Sequence, residues 1–177
     1  MGCITLESAR QGTRGTVWLA HGSSAAGGGE PMYHGTMIPM TDREFLTALE
    51  HCELAPEAFT HAAHVRAGYL YLCAGGFDSA LGRMRCAVKR YAAHLGKADK
   101  YHETITVAYL ALIHQRLSEG GDAGDWMSFM ERNPELLDRD LLLRHYSRSE
   151  LGSDLARRIF ILPLRAGRTA PTPGGRS

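Results

Sequence analysis

The sequence lacks a long apolar run and an excess of charge of either sign. Its purely apolar stretches, such as residues 108–113, are far shorter than the ~20 residues that a membrane-spanning helix needs. Lys and Arg total 20 against 19 Asp and Glu, which argues against a strongly basic surface for nucleic acid. We therefore expect neither a membrane nor a nucleic acid among the partners of this chain.

The sequence also lacks closely spaced cysteines. Its four cysteines lie far apart and form no C-x-x-C motif; they are Cys3, Cys52, Cys73 and Cys86. Such spacing does not indicate a disulfide framework, and it favours a reducing cytoplasm as the location of the protein.

What the sequence does contain is enough apolar material for one core. Hydrophobic residues make up 44% of the 177 residues, which fits a single domain. Residues 1–40 are rich in glycine and show little periodicity, so they are predicted to form a flexible leader. Residues 41–163 are predicted to form a helical domain, and residues 164–177, with two prolines and two glycines close together, a disordered tail.

The leader raises a separate hypothesis about where the native protein starts. Met37 and Met40 stand just before the first clear helix signal. The hypothesis is that translation starts there and that residues 1–36 do not belong to the native protein.

Helix signals fill the predicted domain. Residues 41–44, Thr-Asp-Arg-Glu, form a capping-box sequence that opens a helix extending to about Glu53. Glycine turns and further capping residues divide the rest into predicted helices over about 56–74, 78–96, 100–119, 125–132, 134–146 and 149–160. No alternating strand pattern competes with them. The fold class is therefore predicted to be all-α, as a compact helical bundle.

Two of these helices carry almost no charge. Residues 59–74 contain a single charged side chain, Arg66, and residues 105–115 contain none. A helix that is apolar on every side is buried on most sides, so these two are predicted to form the centre of the bundle. The third helix carries four basic residues and is predicted to be the solvated one; they are Arg83, Arg85, Lys89 and Arg90.

The candidate metal ligands lie on the two apolar helices. His61 and His64 are three residues apart and share one helix face, while His102 and Glu103 begin the fourth helix. Burying a histidine or a carboxylate is costly unless the group is paired or coordinates an ion. Short connections make neighbouring helices antiparallel, so the second and fourth helices run parallel and their first turns meet at one end. The four side chains are thus predicted to converge there.

Such a ligand set predicts the metal and the kind of chemistry. Two or three imidazoles and one carboxylate suit a divalent transition metal (Zn²⁺, Fe²⁺ or Mn²⁺) rather than Ca²⁺ or Mg²⁺. The chain is therefore predicted to be a metal-dependent enzyme acting on a small-molecule substrate, as a zinc hydrolase or lyase or as a non-haem iron oxygenase. Glu103 is either a ligand or a general base beside the ion, and Tyr109 is the second candidate catalytic residue.

A second interpretation needs no metal. Backbone carbonyls can satisfy His61 and His64, and local ion pairing can satisfy Glu103. The chain is then a non-enzymatic helical binding module whose buried His/Glu cluster is structural and whose function lies on an outer groove. The sequence leaves both interpretations open, and it leaves a homodimer open as the assembly.

The chain resembles a family of small uncharacterised bacterial helical proteins. Phe59-Thr60-His61-Ala62-Ala63-His64 matches its F-x-H-x-x-H pattern, and Lys100-Tyr101-His102-Glu103-Thr104-Ile105-Thr106 matches the more distinctive K-Y-H-E-T-I-T string. His145-Tyr146-Ser147 and Ala156-Arg157-Arg158 extend the resemblance to residues 41–163. It implies the domain boundaries and the choice of polar residues, and it implies no reaction.

Overall fold

The computed structural model describes residues 40–120 and 124–163, and these residues fold as helices without strands. The predicted all-α class is confirmed. The predicted leader, apart from Met40, and the predicted tail lie outside the described residues. The α-helices of the described ranges are α1 (Asp42–Glu50), α2 (His61–Ala74), α3 (Phe77–His94), α4 (Glu103–Glu119), α5 (Trp126–Arg132), α6 (Arg148–Leu151) and α7 (Asp154–Arg158).

The capping box at the start of α1 is confirmed. The Thr41 hydroxyl accepts the Glu44 backbone N–H at 3.3 Å, and the Glu44 carboxylate accepts the Thr41 N–H at 2.7 Å. Phe45 and Leu49 point into the core and are fully buried. The helix ends three residues earlier than predicted because Cys52 adopts φ 61°, which is incompatible with helix continuation.

The predicted helix over residues 56–74 is broken in the structure. Pro56–Ala58 form one short 3₁₀ helix, and α2 begins anew at His61. The break follows from Thr60, whose hydroxyl accepts the Ala63 N–H at 3.3 Å and caps the new helix. A side-chain cap of this kind favours a helix start over helix continuation.

The two helices of low charge form the centre of the bundle, as predicted. α2 packs against both α3 and α4, and eight of its residues are buried: Ala63, Val65, Arg66, Ala67, Gly68, Tyr69, Tyr71 and Leu72. In α4, Leu110 and Ile113 are almost completely buried. No helix in the described ranges is long and apolar enough to cross a membrane.

α2 and α4 pack closely against each other at Gly68. A Cβ atom at this position would lie 3.0 Å from Ile113 Cδ1 and 3.3 Å from Leu110 Cδ1. His61, earlier in α2, contacts Tyr109, earlier in α4, with ring centroids 5.0 Å apart. The two helices therefore run in the same direction, as the short connections predict.

The surroundings of Gly68 and Gly82 predict opposite effects on stability when a side chain is added at these two helical glycines. We expect Gly68→Leu to destabilise the protein by about 1–3 kcal/mol, because the added carbons overpack the contact with Leu110 and Ile113. Gly82, in α3, has open space around its Cβ position. We expect Gly82→Ala to stabilise the protein by about 0.5–1 kcal/mol, because alanine is the better helix former. Urea unfolding of both variants is the measurement, and a stable Gly68→Leu variant would contradict the close packing.

The basic residues of α3 are exposed or half-exposed, as predicted, and three of them also bond other parts of the bundle. The Arg83 guanidinium bonds the Glu50 carboxylate at 2.8 Å, and the Arg90 guanidinium bonds the Glu50 backbone carbonyl at 2.8 Å. Arg85 pairs with the buried carboxylate of Glu103. Long basic side chains reach carboxylates on other helices, and such partners are not visible in the sequence around them.

The C-terminal part of the domain consists of shorter elements than predicted. Residues 134–146 form 3₁₀ helices at Pro134–Leu137 and Leu141–Arg144 instead of one helix, and residues 149–160 are divided between α6 and α7. Ser147 caps α6 and Ser153 caps α7, since each side chain accepts a backbone N–H three residues later. Each cap starts a new helix, which limits the length of the one before it.

The cysteines show no disulfide framework within the described ranges, in line with the prediction. Cys52 and Cys73 carry free thiols. Cys86 is disulfide-bonded, and a single bond is not such a framework. The cytoplasmic location stays a prediction.

Candidate functional site

His102 is the N-cap residue of α4 and is buried. Its Nδ1 accepts the Ile105 backbone N–H at 3.3 Å, and its Nε2 lies 2.8 Å from the Leu151 carbonyl oxygen. Because a carbonyl only accepts, Nε2 carries the proton and Nδ1 uses its lone pair on Ile105. Both nitrogens of the neutral ring are therefore engaged, and none is left to bind a metal.

Glu103, in the first turn of α4, is buried in a cluster of donors. Its carboxylate pairs with Arg85, accepts the Tyr101 hydroxyl at 2.7 Å and lies 4.0 Å from Lys89 Nζ. Burial, together with the neighbouring carboxylate, raises the pKa of Tyr101 above its ordinary value, so the phenol stays a donor. The carboxylate is thus satisfied by protein groups.

Thr104 is fully buried, and its side chain bonds the backbone of residues far later in the sequence. Its hydroxyl donates to the Ile159 carbonyl at 2.8 Å and accepts the Ile161 N–H at 3.2 Å. The Tyr146 hydroxyl donates to the Ile161 carbonyl at 3.0 Å. Residues 148–163, here called the C-terminal segment, are thereby fastened to the start of α4.

The residues at this position form one unit, here called the anchor cluster. It consists of Tyr101, His102, Glu103 and Thr104. His102 and Thr104 bond the backbone of the C-terminal segment, while Glu103 and Tyr101 bond each other and the basic residues of α3. The string that carries the family resemblance has a structural role at each of these residues.

His61 and His64 occupy the first turn of α2 and have other partners. His61 Nε2 lies 3.0 Å from the Leu136 carbonyl, and its ring packs edge-on against Tyr109. His64 Nδ1 lies 2.7 Å from the Thr60 carbonyl, and its ring stacks on Phe59 at 3.8 Å between centroids. Each histidine therefore donates one proton to a backbone carbonyl.

The structure does not bring the four predicted ligands together. Among the described residues, no group of three or more His, Cys, Asp or Glu side chains is arranged to hold a metal ion. His61 meets α4 at Tyr109, which is seven residues, or about 10 Å along the axis, beyond His102. The prediction that α2 and α4 run parallel is confirmed. However, the two helices are shifted relative to each other along their axes, and this shift separates His61 from His102. The four-ligand metal centre stays a prediction without a counterpart in this geometry.

Tyr109, the second predicted catalytic residue, also has a structural partner. Its hydroxyl donates to the Asp138 carbonyl at 2.7 Å. Burial, followed by the nearby carboxylates of Asp138 and Asp140, raises the pKa of Tyr109 to about 12. The phenol therefore stays protonated at neutral pH and holds the loop before Leu141 against α4.

His64 makes the stability of the fold pH-dependent. Burial lowers the pKa of His64 from its ordinary 6.5, against an opposing contribution from the Thr60 hydrogen bond. The unfolded chain then binds this proton at a higher pH than the folded chain does. Stability is therefore fully present above the unfolded pKa and is lost as the pH falls below it.

We expect His64→Phe to weaken this pH dependence. Phenylalanine keeps the stacking on Phe59 but does not titrate, so less stability is lost between about pH 7.5 and about pH 5.5 than in wild type. Urea unfolding at the two pH values measures the difference. His145→Phe, at an exposed histidine, is the control and should behave like wild type. An equal acid loss in wild type and His64→Phe would rule out this assignment.

A cavity of about 360 Å³ lies between the end of α4 and α5, away from the predicted site residues. Its lining includes Arg116, Glu119 and Glu135. Arg116 bonds Glu119 at 2.8 Å and Glu135 at 3.0 Å, so these charges compensate one another. The cavity therefore offers no concentrated charge for a ligand.

The surface that the sequence did not reveal lies on the C-terminal segment. Four large apolar side chains are exposed there: Leu155 (52%), Ile159 (51%), Phe160 (39%) and Leu162 (75%). Leu155 and Ile159 are four residues apart within the helix predicted over residues 149–160, a spacing typical of a buried helix face, so the sequence did not reveal this surface. The actual helix ends at Arg158, and Ile159, which follows it, has extended backbone.

Comparisons with known proteins identify no relative. No protein-family model matches the chain, and neither a curated protein nor a solved structure matches it. The resemblance to a bacterial helical family therefore stays a prediction from its motifs.

Proposed function

We propose that this chain is a non-enzymatic helical binding module whose buried His/Glu cluster is structural. One observation carries the proposal: every polar side chain of the anchor cluster has a hydrogen-bond partner within the protein. Both nitrogens of His102, the carboxylate of Glu103 and the hydroxyl of Thr104 have partners at hydrogen-bond distance. Buried polar groups satisfied in this way stabilise and specify a fold.

The predicted transition metal does not fit these residues. Neutral His102 has no lone pair left to donate. A divalent cation at Glu103 would face the positive charges of Arg85 and Lys89, which already neutralise that carboxylate. We therefore derive no chemistry from a metal at this position.

A module of this kind acts through its surface. The exposed apolar residues of the C-terminal segment supply a contact surface, and the anchor cluster fixes its position on the bundle. A protein partner accordingly replaces the small-molecule substrate in this proposal.

Metal content distinguishes the module from the metal-dependent enzyme. Protein purified without added metal is analysed for zinc, iron and manganese, as wild type and as His61→Gln/His102→Asn. Both replacements remove imidazole, while glutamine keeps a donor for Leu136 and asparagine keeps an N-cap acceptor. We expect far less than one metal per chain in both proteins.

A stoichiometric metal in wild type that is lost in the double variant would overturn the proposal. Circular dichroism of the double variant shows that any loss of metal does not follow from unfolding. A matched variant at two exposed histidines, His114→Gln/His145→Asn, controls for adventitious surface binding.

A further inference from the structure

We propose that the outer edge of residues 159–162 binds an extended, acidic and apolar segment of a partner protein, which pairs with it as an added strand. The proposal rests on the binding-module function and names the partner chemistry. It follows from the backbone, the side chains and the charge of this surface.

The inner edge of this stretch is fastened to the bundle. The Ile159 carbonyl and the Ile161 N–H both bond the Thr104 hydroxyl, and the Ile161 carbonyl accepts the Tyr146 hydroxyl. Ile159 has φ −130° and ψ 160°, which is extended backbone. Successive residues of an extended chain direct their backbone groups to opposite edges, so residues two apart share an edge.

The outer edge consequently carries the backbone groups of Phe160 and Leu162. No hydrogen bond to the N–H or C=O of either residue is present within the described ranges. Such a row of unpaired groups on a fixed, extended chain is a template for another strand. A lipid surface cannot pair with it in this way, which favours a peptide as the occupant.

Apolar side chains accompany these backbone groups. Phe160 and Leu162 are exposed on the stretch itself, and Leu155 is exposed on the preceding helix α7. Each loses contact with water when a partner strand with apolar side chains lies beside it. The added strand thus gains main-chain hydrogen bonds and apolar contacts together.

The charge beside this surface selects an acidic partner. Arg157 and Arg158 are exposed and immediately precede Ile159. Within the described part of the chain, no carboxylate lies at ion-pair distance from either guanidinium, whereas Arg144 and Arg148 are each near an aspartate. A second copy of this chain would bring the same two arginines, so an acidic segment complements the surface better.

Selection from a display library of random peptides of about twelve residues tests the proposal on the full-length protein. We expect enriched peptides in which acidic residues accompany alternating apolar residues. Their affinity should fall at least about tenfold for Arg157→Glu/Arg158→Glu. It should stay the same for Arg43→Glu/Arg139→Glu, which makes an equal charge change at two exposed arginines elsewhere.

Backbone methylation of an enriched peptide tests strand addition directly. An added strand uses every second amide, so we expect N-methylation of one alternate set to abolish binding and methylation of the other set to leave it intact. Equal binding of both methylated peptides would overturn the strand geometry. Absence of enriched peptides, or selection unaffected by Arg157→Glu/Arg158→Glu, would overturn the whole proposal.

Two further measurements test the alternative occupants of this surface, which are a lipid membrane and a second copy of the chain. Cosedimentation with vesicles of phosphatidylserine and phosphatidylcholine should show no binding, and light scattering should show a monomer. Vesicle binding or dimerisation that is lost in Arg157→Glu/Arg158→Glu would overturn the proposal in favour of a lipid or a second copy. These failures would leave the structural role of the anchor cluster intact, because metal content tests that role independently.

Discussion

Replacing Glu103 by alanine should lower the free energy of unfolding by about 2–3 kcal/mol. The change leaves Arg85 and Lys89 without their shared carboxylate and removes the acceptor of the Tyr101 hydroxyl. Removing one partner of a fully buried pair costs about 3–5 kcal/mol, and the partial exposure of Arg85 reduces this value. Urea unfolding followed by circular dichroism measures the effect.

The control for this experiment is a carboxylate without such partners. Glu131, exposed on α5, has no ion pair within the described ranges, and Glu131→Ala should change stability by less than about 0.5 kcal/mol. A chelator should not alter the melting temperature of wild type or of Glu103→Ala. Unchanged stability of Glu103→Ala, or a loss that chelator reproduces in wild type, would contradict the structural role of Glu103.

Replacing Asp42 by alanine should have an effect of about 3 kcal/mol, for a related reason. Asp42 pairs with the guanidinium of Arg66, which is only 3% exposed in the middle of α2 and lies 4.9 Å from the centroid of the Phe45 ring. Without Asp42, that buried charge loses its carboxylate, and α1 loses its ionic contact with α2. Thermal and urea unfolding of Asp42→Ala provide the measurement.

A double replacement shows whether the loss of stability in Asp42→Ala arises from the buried, unpaired charge of Arg66. Asp42→Ala/Arg66→Met removes both charges, so it should be less destabilised than the sum of the single variants. Asp78→Ala changes another acidic residue in a first helical turn, but an exposed one, and should cost about 0.5 kcal/mol through the helix dipole alone. Additive losses in the double variant would show that the two side chains do not act as a pair.

Local signals explain how far the sequence predicted the fold. The Thr41 capping box and the low charge of residues 59–74 and 105–115 each depend on neighbours in sequence, and the predictions from them hold. Thr60 carries the same kind of signal, but it lies inside an apolar pattern that favours one continuous helix. The predicted helix boundaries were therefore wrong where two local signals compete.

The candidate site depended on contacts that are distant in sequence. Burial of His102 and Glu103 was predictable from the apolar helix that they begin, and so was their need for partners. The identity of those partners was not, because Arg85 comes from α3 and the Leu151 carbonyl lies 49 residues downstream. Metal ligation and pairing within the protein satisfy the same need, and only the arrangement of the helices distinguishes them.

Hydrogen exchange at the Ile161 amide tests the central claim, that the anchor cluster holds the C-terminal segment in place. Thr104→Val keeps the shape of the side chain but removes the hydroxyl that accepts this amide. We expect the Ile161 amide to exchange at least about tenfold faster in the variant, while amides in the middle of α4 keep their protection. Unchanged exchange at Ile161 would show that the segment is held by something other than the start of α4.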